Sequence, residues 1–515
     1  RIRPSACGGG FGSKIDSNIQ PLLALAAAKT GQAVRSAYHR PESMAATTKR
    51  HPSVTRATLT ADAEGRFLCY RFDGTYDTGA YASFGPTVAG RAPNHAPGPY
   101  LWPSASVDAR TVYTNNSIAG AFRGFGAPQA TFALESLIDE VAAKSDIDRF
   151  ELRKRNVLRP GDATVTGQVL NEENGMLRCL QLLEGDWSRL NDWVALRNEA
   201  DVDNRYGVGI ACTLYGNGNT AVSNPSTIRL TLNRDGTVTF FNGVVDIGQG
   251  SNTALLQILC QTLSIPAARV RVVHSDTDLT ADAGKTSGSR QILVSGEATR
   301  RAAVKLRAKI LRQMNVGEEA LLTFGKGVIE ADGTVLNLAA VIDEHPAQSE
   351  ICFEAEATFD PPTTSLDQNG QGIPFAAYTF GAVIVAVRID PALGLITCEE
   401  VVAAFDAGRI VNLVQAEGQV QGAVAQGIGM ALMEEYVPGR TENLHDYLIP
   451  TVGDIPPITV RFVEALSQHG PFGAKGLGEA PLIPTPAALA NAIRHASGIN
   501  VTSLPILPHK LILPH

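Results

Sequence analysis

At 515 residues the chain exceeds what one hydrophobic core usually organises, so two or more lobes are expected. Charged residues make up 18% of it and the net charge is -7, with Lys and Arg scattered, which speaks against a nucleic-acid or anionic-membrane surface. Seven widely spaced cysteines without a C-x-x-C pair argue against zinc or iron–sulfur ligation within the chain and against a disulfide framework; reduced thiols and a cytoplasmic setting are expected.

The chain opens at Arg1, without an initiator Met or signal segment, and reads as one piece of a longer polypeptide. A glycine loop at 8–13 comes first, then a helix over 21–29 stopped by Gly31. Residues 53–59 and 67–76 alternate as strands around a turn at 62–65. Arg91 falls in a Pro-rich loop that runs to Pro103, where a solvated surface group is the plainer reading. In the loop at 119–129, Phe122, Arg123 and Phe125 sit among small residues ahead of a helix over 128–144. Glycines on both sides of Phe125 make it an unusual core filler. The polar stretch 156–175, with Pro160 and Gly161, reads as the boundary between a first lobe, 1–160, and a second, 161–515.

In the second lobe, 227–232 and 237–245 form a hairpin around Asn233-Arg234-Asp235-Gly236, and 246–252 (Asp-Ile-Gly-Gln-Gly-Ser-Asn) leads into a helix over 253–263. This parallels the arrangement at Gly8 and suggests a two-fold internal repeat. Ala283-Gly284-Lys285-Thr286 resembles the end of a phosphate-binding P-loop, but Leu279 stands where its first glycine is needed, so a nucleoside triphosphatase is rejected. Further helices are expected over 298–311, 414–435 (carrying Gln419 and Gln426 on one face) and 486–496. The apolar run 380–387, closed by Arg388 and Asp390, reads as a buried strand, and no run is long enough to span a bilayer.

The chain is organised around 473–481 (Gly-Ala-Lys-Gly-Leu-Gly-Glu-Ala-Pro), where one carboxylate, Glu479, follows three glycines. An exposed turn acid is the bland reading of one such loop; a catalytic base is the sharp one. Glycine loops run into helical patterns five times, at 8–13, 120–126, 248–252, 284–289 and 473–479. Helix starts offer free N–H groups and partial positive charge, so together they suggest one large anionic ligand between the lobes of an α+β fold.

GGGFGSK at Gly8, AFRGFGAPQ at Ala121, DIGQGSNT at Asp246, SGSR at Ser287 and GAKGLGEAP at Gly473, in this order and spacing, resemble the molybdenum-binding part of the xanthine dehydrogenase and aldehyde oxidase family over essentially the whole chain. The resemblance implies two elongated mixed α+β lobes with a molybdopterin cofactor between them, in plain form or as the cytosine dinucleotide, its molybdenum held through the pterin dithiolene and by no protein ligand. It implies that Gly10, Phe11, Gly12, Arg123, Gly124, Gly248, Gln249, Gly250, Gly288, Ser289 and Arg290 hold the cofactor, Phe11, Gly12, Arg123 and Gly288 through their backbone. It implies that Glu479 is the base that takes a proton as water-derived oxygen is added to an electron-poor carbon. Arg91 matches the family's substrate arginine and Phe125 the ring that stacks on a flat substrate.

Two departures bear on the substrate. Purine-oxidising members carry a Glu where this chain has Ile15, which removes a hydrogen-bonding partner for a purine. Carbon monoxide oxidisers carry a cysteine-containing loop where Arg123-Gly124-Phe125 stands. The family's upstream glutamine near the metal would precede Arg1. The expectation is a molybdenum hydroxylase acting on an N-heteroaromatic or aldehyde carbon, in a hetero-oligomer whose [2Fe-2S] and FAD groups sit on partner chains or missing segments. The alternative is a non-catalytic cofactor-binding or delivery subunit, against which Glu479 speaks, since a carrier needs no base.

Overall fold

The computed structural model describes residues 1–171, 174–341 and 350–512. The elements in chain order are α1 (Gln20–Thr30), α2 (Arg40–Ala46), β1 (Ser53–Ala61), β2 (Phe67–Asp77), α3 (Gly85–His95), β3 (Ser104–Val112), α4 (Ala127–Ser145), α5 (Arg149–Asn156) and α6 (Met176–Ala200). There follow β4 (Arg205–Gly216), β5 (Ser226–Asn233), β6 (Val238–Asn242), α7 (Ser251–Leu263), β7 (Val270–His274), α8 (Gly296–Met314), β8 (Thr323–Phe324), β9 (Val328–Ala331), β10 (Thr334–Asn337) and β11 (Ile351–Phe359). The chain closes with β12 (Tyr378–Asp390), β13 (Leu395–Asp406), α9 (Leu413–Leu432), β14 (Ile458–Val463) and α10 (Thr485–Ser497). The class is the expected α+β. Among the described residues no helix is long and apolar enough to cross a membrane.

One topology recurs three times. An antiparallel hairpin is followed by a helix and then by a strand parallel to the hairpin's second strand: β1-β2-α3-β3, β5-β6-α7-β7 and β12-β13-α9-β14. Antiparallel neighbours accept a short turn, whereas the parallel partner needs a crossover long enough to hold a helix. Sheet β11-β5-β6-β7 extends the second unit and sheet β14-β13-β12-β4 the third. The continuous apolar run of β12 is explained by its neighbours: β13 and β4 flank it, α6 covers one face and α10 the other, so its residues are buried on both faces.

The packing crosses the expected lobe boundary at residue 160. One core holds Phe72 and Leu134 together with Leu183, Ile210 and Ile384, because α6, directly after the polar stretch, lies against β4, β12 and β13. A second core, with Leu230, Phe240, Leu255, Leu306 and Phe353, belongs to the β11-β5-β6-β7 sheet and its helices α7 and α8. Within the first core α4 is pinned to α5 by a charge cluster. Arg153 lies 2.8 Å from Glu135 and 2.7 Å from Asp139, and Tyr100 Oη donates to Glu135 at 2.7 Å, all of them buried. Paired charges of this kind tolerate burial only because every one has a partner. The cluster fixes the helix whose first residue follows the Phe122–Gly126 turn.

Candidate active site

A cavity of about 630 Å³ is lined by residues from all five glycine loops, among them Phe11, Phe125, Gln249, Ser289 and Glu479. The loops are knitted to one another by close backbone approach. A Cβ on Gly12 would lie 2.6 Å from Ala121 O, and one on Gly476 would meet Ser289 O even more closely, so both contacts require glycine. Arg123 N–H donates to Phe11 O at 2.8 Å, and Gly476 N–H to Asn217 Oδ1 at 2.7 Å.

Glu479 is half-buried at the cavity wall. Its Oε2 accepts from Ser289 Oγ at 2.9 Å, its Oε1 accepts from Gly124 N–H at 3.3 Å, and its own N–H donates back to Ser289 Oγ at 3.1 Å. Three loops thus converge on one carboxylate, which holds its orientation without a salt bridge among the described residues. Ser289 adopts φ 54 and Phe125 φ 49, the latter between Gly124 and Gly126, each at φ 91. Left-handed backbone at non-glycine residues is a local cost that the surrounding structure must offset, and it clusters at functional sites. The turn presents the half-buried Phe125 ring to the cavity, with Phe84 edge-on behind it at 6.0 Å.

Arg123 is buried and acts as a cross-brace. Its guanidinium donates to Gly478 O at 2.5 Å, to Gln426 Oε1 at 3.1 Å, and to Gln419 O and Oε1 at 3.0 and 3.2 Å. Burial lowers its pKa to about 10, and the Glu479 carboxylate opposes that shift. Gln419 and Gln426 therefore line the cavity while carrying this arginine, and their amide oxygens are engaged with it. Arg290 spends its guanidinium on the carbonyls of Ala283, Asn224 and Pro225, bracing its own loop.

The anion expectation needs correction in its details. Only α4, capped by Gly126, and α7, capped by Gly250, start directly at a glycine of these loops. At the start of α7 some donors are already taken: Asp246 accepts from the N–H groups of Gly248 (2.9 Å), Gly250 (3.3 Å) and Asn252 (3.1 Å). The Gln249 side chain is likewise turned inward, accepting from Ile247 N–H and donating to Ser251 Oγ. Longer runs of unspent donors lie in two other loops. Among the described residues, the N–H groups of Gly10, Phe11 and Gly12, and of Ser287, Gly288 and Ser289, donate to no protein acceptor. Runs of free N–H groups of this kind form concavities for anions.

Of the expected site residues, Gly10, Phe11, Gly12, Ile15, Arg123, Phe125, Gly248, Gln249, Gly250, Ser289, Arg290 and Glu479 line the cavity. Gly124 and Gly288 stand behind it, Gly124 bonded to Glu479 and Gly288 O accepting from Gly218 N–H at 2.7 Å. Arg91 differs most. It lies on α3, not in a loop, and is neither a surface group nor part of the cavity wall. Its guanidinium donates to the carbonyls of Gly216 and Gly218 and lies over the Tyr215 and Phe375 rings at 4.5 and 4.8 Å. His95, one turn on, receives Gly216 N–H on Nε2 at 3.1 Å and sets Nδ1 2.9 Å from Arg91 O, a pattern that needs a neutral ring. Two features escape sequence reasoning: the segment 409–412, which lines the cavity, and the buried Tyr215, whose ring lies under the Arg91 guanidinium. The only signal for the first is its place between a predicted strand and a predicted helix. Among the described residues no group of three or more His, Cys, Asp or Glu is placed to hold a metal ion.

Two models of a molybdopterin cofactor-binding domain match the chain, over residues 1–157 and 182–456. The xanthine dehydrogenase molybdenum-binding subunit of Escherichia coli O157:H7 is 34% identical over 99% of this chain and 69% of that protein. Among solved structures, the aldehyde oxidoreductase from Desulfovibrio desulfuricans superimposes with a TM-score of 0.89 at 31% identity, over 98% of this chain and 53% of that one. Quinoline 2-oxidoreductase from Pseudomonas putida gives 0.85 at 27% identity, over 98% and 67%. This chain thus spans about two thirds of the first relative and about half of the second. It belongs to the family of molybdopterin-binding oxidoreductase chains that includes xanthine dehydrogenase and aldehyde oxidoreductase.

Proposed function

We propose that the cavity is the catalytic cleft of a molybdenum hydroxylase, with Glu479 as its base, and that it oxidises an N-heteroaromatic or aldehyde carbon. The observation that carries this reading is the Glu479 carboxylate, held by Ser289 and Gly124 at the wall of a cavity that all five glycine loops line. A non-catalytic carrier would need the loops but not the oriented acid.

The residues fit a molybdopterin. Six unspent backbone N–H groups on two loops match an anionic, hydrogen-bonding ligand, and 630 Å³ is within the range of small-molecule sites. Gly10, Phe11 and Gly12 would hold it from one side, and Ser287 to Ser289 from another. When bound, the cofactor supplies a molybdenum centre able to take two electrons from the substrate carbon as oxygen from water is added. The protein's own part is positional and protonic. Glu479, with one lone pair per oxygen engaged and others free, accepts the proton released in that step. Phe125 supplies a flat wall for an aromatic substrate, and Ile15 keeps the facing wall apolar. Arg91 acts from behind the wall, fixing the β4 end and its Tyr215 ring. Cofactor in dinucleotide form, iron–sulfur and FAD partner chains, and a hetero-oligomer complete the reading, as does a division of the sequence at residue 160 that leaves one hydrophobic core common to both parts.

Glu479→Gln tests it. Turnover should fall at least ~10²-fold, the scale of acid–base catalysis, with molybdenum content kept. Near-normal dye reduction by the variant refutes the assignment, and molybdenum without activity on any heterocycle or aldehyde in the unmodified protein favours the carrier.

A further inference from the structure

A buried ion pair stands at the root of the Glu479 loop. Lys475 Nζ lies 2.7 Å from Asp406 Oδ2, and both side chains have 0% exposure. Asp406, the last residue of β13, also accepts from the N–H groups of Gly408 (3.1 Å), Ala465 (3.2 Å) and Gly175 (3.1 Å). One carboxylate thus gathers the ends of β13 and β14, the start of α6 and the 473–479 loop. The backbone repeats the connection: Lys475 N–H donates to Ala407 O at 2.9 Å, and Ala474 forms a bridge with Gly408.

The pair is an expensive way to make a fold stable. Burial raises the Asp406 pKa, and the Lys475 ammonium and the backbone donors act against that rise. Replacing such a pair by apolar residues of similar volume is often neutral or stabilising, whereas a pair fixes a geometry that apolar contacts leave loose. Lys475 belongs to the cavity wall, yet its ammonium is engaged with Asp406. Between Lys475 and Glu479 the loop is Gly-Leu-Gly, a tract with little stiffness of its own, so its course is set by its anchors: the pair at its root, then Asn217 on Gly476 and Arg123 on Gly478.

Resting on the reading of Glu479 as the base, we infer that the Asp406–Lys475 pair is the positioning device of that loop. Ser289 and Gly124 orient the carboxylate at the tip, and the pair sets the depth from which the tip is presented. Neither Asp406 nor Lys475 takes part in proton transfer. Their effect reaches the chemistry through Glu479 alone.

The test uses the assembled, molybdenum-loaded enzyme. The double variant Asp406→Asn/Lys475→Met removes both charges together and keeps Oδ1 as acceptor for the N–H groups of Gly408 and Ala465. Expected are unchanged molybdenum content and a folded enzyme whose thermal midpoint falls only by the Gly175 N–H bond that it gives up. With them, kcat falls by about 10²-fold, the scale of an ångström of misplacement, at little-changed KM. Amide exchange at 476–479 should quicken while that of α10 stays as it was. Normal kcat and normal exchange in the folded variant overturn the inference, because the pair would then not position the loop. Asp406→Glu keeps both charges and lengthens the tether by one methylene. It should lower kcat about tenfold with molybdenum content kept, on the same misplacement argument; normal kcat there overturns the inference even if the double variant does not fold. Glu479→Gln, assayed alongside, separates the two ideas. Activity in that variant removes the base assignment, while its inactivity beside a normally active Asp406→Glu removes only the role of the pair.

Discussion

Replacing Ser289 by alanine takes away one oxygen and, with it, two of the three hydrogen bonds that orient Glu479. The hydroxyl donates to Oε2 at 2.9 Å and accepts from the Glu479 N–H at 3.1 Å, leaving the carboxylate with the 3.3 Å contact from Gly124 N–H. A hydrogen bond to a charged group contributes roughly 1.5–3 kcal/mol. If all of it is realised in the transition state, at about 1.4 kcal/mol per decade the loss is roughly 10- to 100-fold in kcat/KM. Ser289 φ, at 54, suits alanine no better, so the variant gains no backbone relief. The assay is steady-state dye reduction with molybdenum content determined on the same sample, so that lost turnover is separated from lost cofactor. Ser289→Gly, which suits φ 54 but lacks the hydroxyl, should lose as much rate as the alanine variant. An alanine variant within about twofold of the unmodified kcat/KM, fully loaded, would show that the carboxylate needs no help from this loop, and the convergence argument would fail.

Arg123→Met should lower the thermal midpoint through loss of roughly 1–3 kcal/mol, the order expected when part-buried acceptors such as Gly478 O lose their donor; an unchanged midpoint would mean that water replaces the guanidinium. Two buried histidines give a pH dependence. Burial pushes His95 down to about 3 and His51 to about 4, with the Arg91 and Arg50 guanidinium groups adding to the effect. Each takes a proton more readily unfolded, so the stability that is complete above the ordinary value near 6.5 is lost as pH falls toward 4. The slope is about 1.4 kcal/mol per pH unit for each fully linked group, read from denaturant midpoints between pH 7 and 5, and His95→Gln should flatten it.

The helices after the glycine loops were legible because glycine punctuation and 3.6-residue spacing agree, and α4, α7 and α10 lie within two residues of expectation. The buried strand within β12 was legible for its unbroken apolar run. Helix α3 was not: Pro86, Gly90 and Pro93 argue for a loop, and only packing of Val88, Ala89 and Ala92 against Tyr76 overrides them. The spacing of Leu180, Leu183, Trp187 and Leu190 on α6 is helical in the sequence, but nothing local says that it folds back across residue 160. At the site, the family resemblance of the motifs put Glu479, Phe125 and Ser289 together, and all three line the cavity. Arg91 and Arg123 show the limit: an arginine near a glycine loop looks the same in sequence whether it faces a ligand or braces carbonyls, and the acceptors that decide are hundreds of residues away or on other elements.

The inward turn of Asp246 has a consequence for how the site is filled. By satisfying the amides of Gly248, Gly250 and Asn252 from within the same heptapeptide, it gives that turn a shape that needs no ligand to hold it. The loops at 10–12 and 287–289 each keep three successive N–H groups that no acceptor among the described residues engages. An anion entering the cleft therefore meets one turn already shaped and two whose donors it can complete.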